Sequence, residues 1–205
     1  MTGGRNVQSI WAGLLLAFAG MVAGVMPALA QELPGRRDAL RLIYPADADV
    51  ESVVTPHPSL SEGQVALLST AISEGLMPQM VFYGALAIAP DNGLADPQTT
   101  VAVGNFHDEA SASADALARC DAARAADATP CVIVLVVRPA GWAPGAALQM
   151  SSGAAAALQT EFRQADQPRY FAISYATGRF GIGPSAETAQ AACGQADCQA
   201  VVADR

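Results

Sequence analysis

The chain reads as an α+β domain in which two related strand-strand-helix-strand units form a mostly antiparallel sheet with helices packed on it. Three observations predict this. Cys131 to Pro139 is a continuous β-branched and aliphatic run closed by a proline, as expected of a strand buried on both faces inside a sheet. Alanine-rich helical stretches alternate with β-prone ones along the rest of the chain. The order strand, strand, helix, cysteine, cysteine, strand then occurs twice, at about 81–139 and 169–204, within one domain spanning 61–205.

Composition sets the outer bounds. With 205 residues and 52% hydrophobic content, the chain can bury the core of one ordinary domain. Its net charge is -8, and every one of its eleven basic residues is arginine. A chain without lysine cannot form a Schiff base, carry pyridoxal phosphate or supply the lysine of a phosphate-binding loop. A net-acidic surface, expected to carry no basic cluster, also argues against nucleic acid or anionic lipid as the main partner.

Residues 1–30 read as a secretory signal peptide. Ile10 to Val25 is apolar behind Arg5, and Ala28, Leu29 and Ala30 give the small-x-small pattern of a cleavage site before Gln31. A retained anchor is the alternative, but the apolar run is short and interrupted by glycines. Cleavage predicts a periplasmic or secreted protein of net charge -9, with no segment left that could cross a membrane.

The segment 31–60 is expected to be an extended cover, since Pro45, Pro56 and Pro58 are interleaved with acidic residues. Within it, Arg36 to Tyr44 fits either a short helix or an edge strand, and His57 between two prolines is expected in an exposed loop. Ser61 and Gln64 form a capping-box pattern ahead of Val65, Leu68, Ala71 and Ile72, with Gly75 as the stop. Phe82 to Ala89 and Thr99 to Gly104 predict a hairpin with a long loop. Asp108 is placed to cap a helix running to Arg119, with Ala110, Ala114, Leu117 and Ala118 on its inner stripe. After the buried strand, a further helix is expected over 152–164 from the spacing of Ala154, Leu158 and Phe162. Tyr170 to Ala176 and Phe180 to Ile182 make a second strand pair, followed by a helix from Ser185 with Ala186, Ala189 and Ala192 inward. Cys198 opens the last strand.

Aligned without a gap, Tyr83 to Ala89 matches Tyr170 to Ala176, while Cys120 and Cys131 match Cys193 and Cys198. Four cysteines in an exported chain allow three pairings. The repeat selects the local one, Cys120 with Cys131 and Cys193 with Cys198. A four-thiolate zinc site is the alternative, but the close cysteine pairs of zinc knuckles are missing and no metal is expected.

The same residues carry a resemblance. Tyr83 to Ala89, Gly93, Ala114 to Cys120 and Cys131 to Val137, and again Tyr170 to Ala176, Gly178, Ala186 to Cys193 and Cys198 to Val202, resemble a family of small secreted bacterial domains of unknown function, here in tandem. A further cysteine common after that family's last strand is absent. The whole chain, including Asn105 to Asp108 and Arg138 to Trp142, is also similar to short exported alphaproteobacterial proteins that often bear the label 5-aminolevulinate synthase. That chemistry needs a lysine and a far larger cofactor-binding fold.

Candidate site residues are few. His107, Asp108 and Glu109, near Asn105, form the one concentrated group suited to acid-base work, although a helix start favours acidic residues on its own account. Trp142, set among Gly141 and Pro144, is a candidate binding anchor, with packing over the sheet as the alternative. Gly178, Gly181 and Gly183 lack the remainder of a phosphate-loop fingerprint and read as hairpin and cap glycines. No cofactor is expected. The expectation is an exported, non-catalytic binding protein for a protein or small ligand, whose oligomeric state the sequence leaves open. A small hydrolase-like enzyme using His107 is the second reading, and a structural envelope component the third.

Overall fold

The computed structural model describes residues 32–205, so the expected signal peptide lies outside the described residues. The class is α+β as expected. In chain order the elements are α1 (Arg36–Leu42), β1 (Val50–Val54), α2 (Glu62–Thr70), β2 (Gly84–Ile88), β3 (Thr100–Val103), α3 (Glu109–Ala123) and β4 (Val132–Pro139). Then come α4 (Ser152–Gln159), α5 (Glu161–Gln164), β5 (Arg169–Ile173), β6 (Phe180–Gly183), α6 (Ala186–Cys193) and β7 (Gln199–Asp204). No helix among the described residues is long and apolar enough to cross a membrane.

The strands form two antiparallel sheets, ordered β1-β4-β2-β3 and β6-β5-β7, where the sequence suggested one. Strand β4 lies inside the first sheet with Val134 to Val137 buried, as its unbroken apolar run requires. Its outer neighbour β1 comes from the segment read as extended cover. Val50 to Val54 pairs with Pro139 to Leu135, and α1 precedes it, so this segment completes the sheet as well as covering it.

Each sheet carries helices on both faces. Ala85, Ala87 and Ala89 face α3, while Leu86 and Ile88 face the cluster under α2 that holds Leu60 and Leu68. In the second sheet Ala172 faces α6, and Phe171 and Ile173 join the core built by α1, α4 and α5. Small residues let the cysteine-bearing helix lie close, and large ones fill the opposite face. At Gly181 and Gly183 a Cβ would come within 2.2 Å of Cys193 N and 2.5 Å of Thr188 Oγ1, so α6 rests on bare β6 backbone. These two glycines serve helix-sheet contact rather than hairpin or cap geometry.

The two units correspond strand for strand, with one correction to their alignment. Against β4, β2 slips register between Leu86 and Ala87, leaving Val134 unopposed; against β7, β5 slips between Phe171 and Ala172, leaving Val201 unopposed. Leu86 therefore corresponds to Phe171, two residues from the gapless sequence match. A strand pattern of period 2 looks the same after a shift of two, and the bulge removes that ambiguity.

Capping follows the sequence closely. Ser61 Oγ accepts from Gln64 N at 3.3 Å and Gln64 Oε1 accepts from Ser61 N at 2.8 Å, while Asp108 Oδ1 accepts from Ser111 N at 2.7 Å. Helix α3 runs past Arg119 to Ala123, so Cys120 sits inside its last turn. Its inner stripe is Ala112, Ala116 and Cys120, whereas Ala110, Ala114 and Ala118 are exposed. In α6 the buried positions are Ala189 and Cys193, with Ala192 exposed. The stretch 152–164 breaks at Thr160, whose hydroxyl donates back to Ala156 O at 2.7 Å, yet Ala154, Leu158 and Phe162 are all buried as expected.

Both disulfides are the local ones, Cys120–Cys131 and Cys193–Cys198, with Cα separations of 6.1 and 6.2 Å. No other cysteine remains, and no cluster among the described residues could hold a metal ion. Each bond ties the end of a helix to the start of the following strand. Cys120 and Cys193 also rest against corresponding carbonyls, Thr99 O and Arg179 O, just ahead of β3 and β6.

Candidate functional site: the Trp142 groove

The loop after β3 is the junction of the molecule. Asn105 takes a left-handed backbone with φ 66°, and its Oδ1 accepts from Gly153 N at 2.8 Å in the first turn of α4. His107 is fully buried. Its Nδ1 accepts from Ser151 N at 3.1 Å, which leaves Nε2 to donate to Arg179 O at 3.0 Å, and Tyr175 meets the ring edge to face. Both ring nitrogens are thereby committed to backbone groups of α4 and of the β5–β6 turn. Burial holds the imidazole neutral, below its ordinary titration range, against the opposing pull of Arg179 O, Asp108 and Asp197.

Gly178 completes the junction. It has φ +69°, and a Cβ there would fall 2.2 Å from Asn105 O. A Gly178→Ala variant must therefore lift the turn off the loop as well as adopt an unfavourable backbone. The expected result is a loss of about 2 to 4 kcal/mol, read as a lowered denaturant midpoint. Gly93→Ala, also at positive φ but with nothing near its Cβ, should lose about 1 kcal/mol.

Neither Asp108 nor Glu109 hydrogen-bonds this buried histidine. Together with Ala110, Ser111 and Ser113 of α3 and with Trp142 and Gln149 of the loop after β4, they line an open groove of about 390 Å³. Two residues singled out for acid-base work and one singled out as an anchor thus share one site. His57 stands apart in its own loop, half-buried, with Nδ1 2.8 Å from Ser59 Oγ.

The groove wall is held from behind. Arg138, the penultimate residue of β4, places its guanidinium 4.5 Å from the centre of the Trp142 ring. The same side chain pairs with Glu51 of β1 at 2.5 Å and with Glu109 at 3.3 Å. The Tyr44 hydroxyl donates to Gly141 O at 3.1 Å, and Ala140 N to Asp49 O at 2.8 Å, tying the loop to the segment before β1. The indole N–H reaches Gln149 Oε1 at 3.4 Å.

One group here has no partner. Tyr83 is fully buried at the entry to β2, yet its hydroxyl finds no hydrogen bond among the described residues. Burial pushes its phenol upward, and neighbouring Tyr44, Asp108 and Glu109 push it further, while the adjacent Trp142 acts in the opposite sense. The hydroxyl thus lies beside the Trp142 indole, beneath the groove rather than among the residues that line it, and the indole N–H is directed to Gln149. A buried, unpaired hydroxyl costs stability, and sequence reasoning saw Tyr83 as a strand residue alone. Tyr83→Phe should leave the unfolding midpoint unchanged or raise it slightly, by up to about 1 kcal/mol, in a denaturant titration.

Compared with protein-family models, curated proteins and solved structures, the chain matches none of them.

Proposed function

We propose that this is an exported, non-catalytic binding protein whose ligand occupies the Trp142 groove. The observation that carries the proposal is the convergence of an aromatic side chain and two carboxylates on one open cleft. The wall offers a flat surface for stacking, and Asp108 and Glu109 offer acceptors. The fitting ligand has a flat apolar face and hydroxyl or ammonium donors along its edge, as in a saccharide or an aromatic amine. Two disulfides suit an oxidising compartment, periplasmic or extracellular, and the resemblance to small secreted bacterial domains belongs to the same reading. Both nitrogens of His107 are occupied and its ring is buried, so nothing in the geometry favours the hydrolase-like alternative.

Trp142 is the one tryptophan after residue 31, so its emission reports on the groove directly once the leader is removed. Titrating saccharides and aromatic amines should give a saturable change in emission for at least one class. Calorimetry with the same compound should show about a hundredfold weaker binding for Trp142→Ala and about tenfold weaker for Glu109→Gln. Unchanged emission across both classes, or calorimetric binding indifferent to Trp142→Ala, would remove the proposal.

A further inference from the structure

A second cleft, of about 470 Å³, shares no residue with the Trp142 groove. It is formed by the start of α1, Gln167 ahead of β5, and the end of β7. Four arginines border it: Arg36, Arg37, Arg169 and Arg205. In a chain of net charge -8 this is a local concentration of positive charge, assembled from three segments that are separate in sequence.

The cleft has a finished floor and an unfinished rim. Arg169 gives Nε and Nη2 to Asp204 Oδ2 at 3.1 and 2.7 Å, gives Nη1 to the carbonyls of Arg163 and Ala165, and lies over the Phe162 ring. The other oxygen of Asp204 accepts from Arg36 N at 2.8 Å. Both carboxylate oxygens are thus engaged at the floor, where Arg169 and Asp204 are 12% and 18% exposed. Asp38, the next carboxylate along α1, pairs with Arg41 at 3.0 Å. Glu32 pairs with Arg205 at 3.4 Å, with both side chains largely exposed. Among the described residues, the guanidiniums of Arg36 and Arg37 have no carboxylate within ion-pair distance.

We propose that this cleft binds a phosphate-bearing anion, with Arg36 and Arg37 as its principal contacts and Gln167 as a further donor. Two unpaired forked donors match a doubly charged group with several oxygens better than they match a single carboxylate. Exposed Arg205 can exchange Glu32 for the ligand, whereas Arg169 stays with Asp204, whose other oxygen ties the start of α1 to β7. The phosphate can belong to a soluble compound or to a lipid headgroup, and the chemistry of capture is the same.

The test titrates inorganic pyrophosphate into the purified protein by calorimetry at about 20 mM salt, where screening is weak. A parallel arm measures co-sedimentation with phosphatidylcholine vesicles with and without phosphatidic acid. Arg36→Ala/Arg37→Ala is compared with wild type and with Trp142→Ala. The expected result is salt-sensitive binding in at least one arm, weakened about tenfold or more by the arginine pair and unaffected by Trp142→Ala. Response in the pyrophosphate arm identifies a soluble source, and response confined to phosphatidic acid vesicles a headgroup. No binding in either arm, or binding that the arginine variant retains, would overturn the proposal. Arg37 is exposed and Arg36 half-buried, and neither makes a side-chain hydrogen bond among the described residues, so the variant should fold as wild type does; far-UV circular dichroism checks this.

Discussion

Replacing His107 by alanine should cost the protein about 3 to 5 kcal/mol, the largest single-residue loss expected in this fold. The imidazole fills a fully buried site and serves two backbone groups at once, Ser151 N–H and the Arg179 carbonyl. Removing it leaves a donor and an acceptor buried without partners, each costing about 1 to 3 kcal/mol, and opens a cavity between the β3–α3 loop and α4. Chemical denaturation at neutral pH would register the loss as a shifted midpoint.

The same residue gives the protein an acid-sensitive term whose sign can be worked out. Unfolded, the imidazole takes up a proton near its ordinary value of 6.5; folded, burial delays uptake to lower pH. The unfolded state therefore binds more protons below that point, and stability falls as pH drops. The slope approaches about 1.4 kcal/mol per pH unit and ends only where the folded protein itself becomes protonated. Tyr175, Asp108 and Asp197 face or influence the ring, and neither carboxylate pairs with it directly. Asp91, Asp121 and Asp197 are held below the usual carboxylate range by hydrogen bonds from Thr129, Arg124 and Ser174, so they stay ionised between pH 5 and 6.5, roughly, and do not blur this window. His107→Gln, weaker overall, should lose most of the difference between midpoints at about pH 7.5 and about pH 5.5. His57 is common to both proteins and cancels.

The second large effect is loss of the disulfides. Cys120–Cys131 closes a loop of sequence separation 11 and Cys193–Cys198 one of separation 5. Loop entropy assigns about 3 kcal/mol to the first and about 2 kcal/mol to the second. Paired serine replacements should follow that order, with Cys120→Ser/Cys131→Ser melting at the lower temperature. Because both bonds lie within single units, each replacement should loosen its own helix while hydrogen exchange in the other unit stays slow.

Where the sequence spoke plainly, it did so through contrast. The run from Val132 to Val137 carries no polar residue, so its place inside a sheet followed directly. The capping pair Ser61 and Gln64 announced α2, and the matching placement of the cysteines in the two repeats announced the disulfides. Contrast fails along α3, where Ala110, Ala112, Ala114, Ala116 and Ala118 occur at every second position. With equal side chains all around, hydrophobicity cannot phase the helix, and packing of Cys120 decided which alanines face inward. Strand β1 was hidden because Glu51 and Ser52 interrupt it and prolines flank it, features that suit an edge strand as well as a loop.

The groove was half visible. Trp142 and the pair Asp108 and Glu109 each stood out, but for separate reasons, and only the fold brings them to one groove. Tyr83 carried no signal, since an unsatisfied hydroxyl is a property of its surroundings. The arginine cleft was invisible for a related reason: no basic run exists along the chain, and the cluster arises where α1 meets β7.

The central feature of the fold is one unit used twice, each copy closed by its own sulfur bridge. Non-reducing proteolysis of the protein purified from its native source, followed by mass spectrometry of the linked peptides, tests it most directly. The account predicts one peptide pair joining Cys120 to Cys131, another joining Cys193 to Cys198, and no free thiol. A bridge running from one copy to the other, or unmodified cysteines in the folded protein, would contradict it.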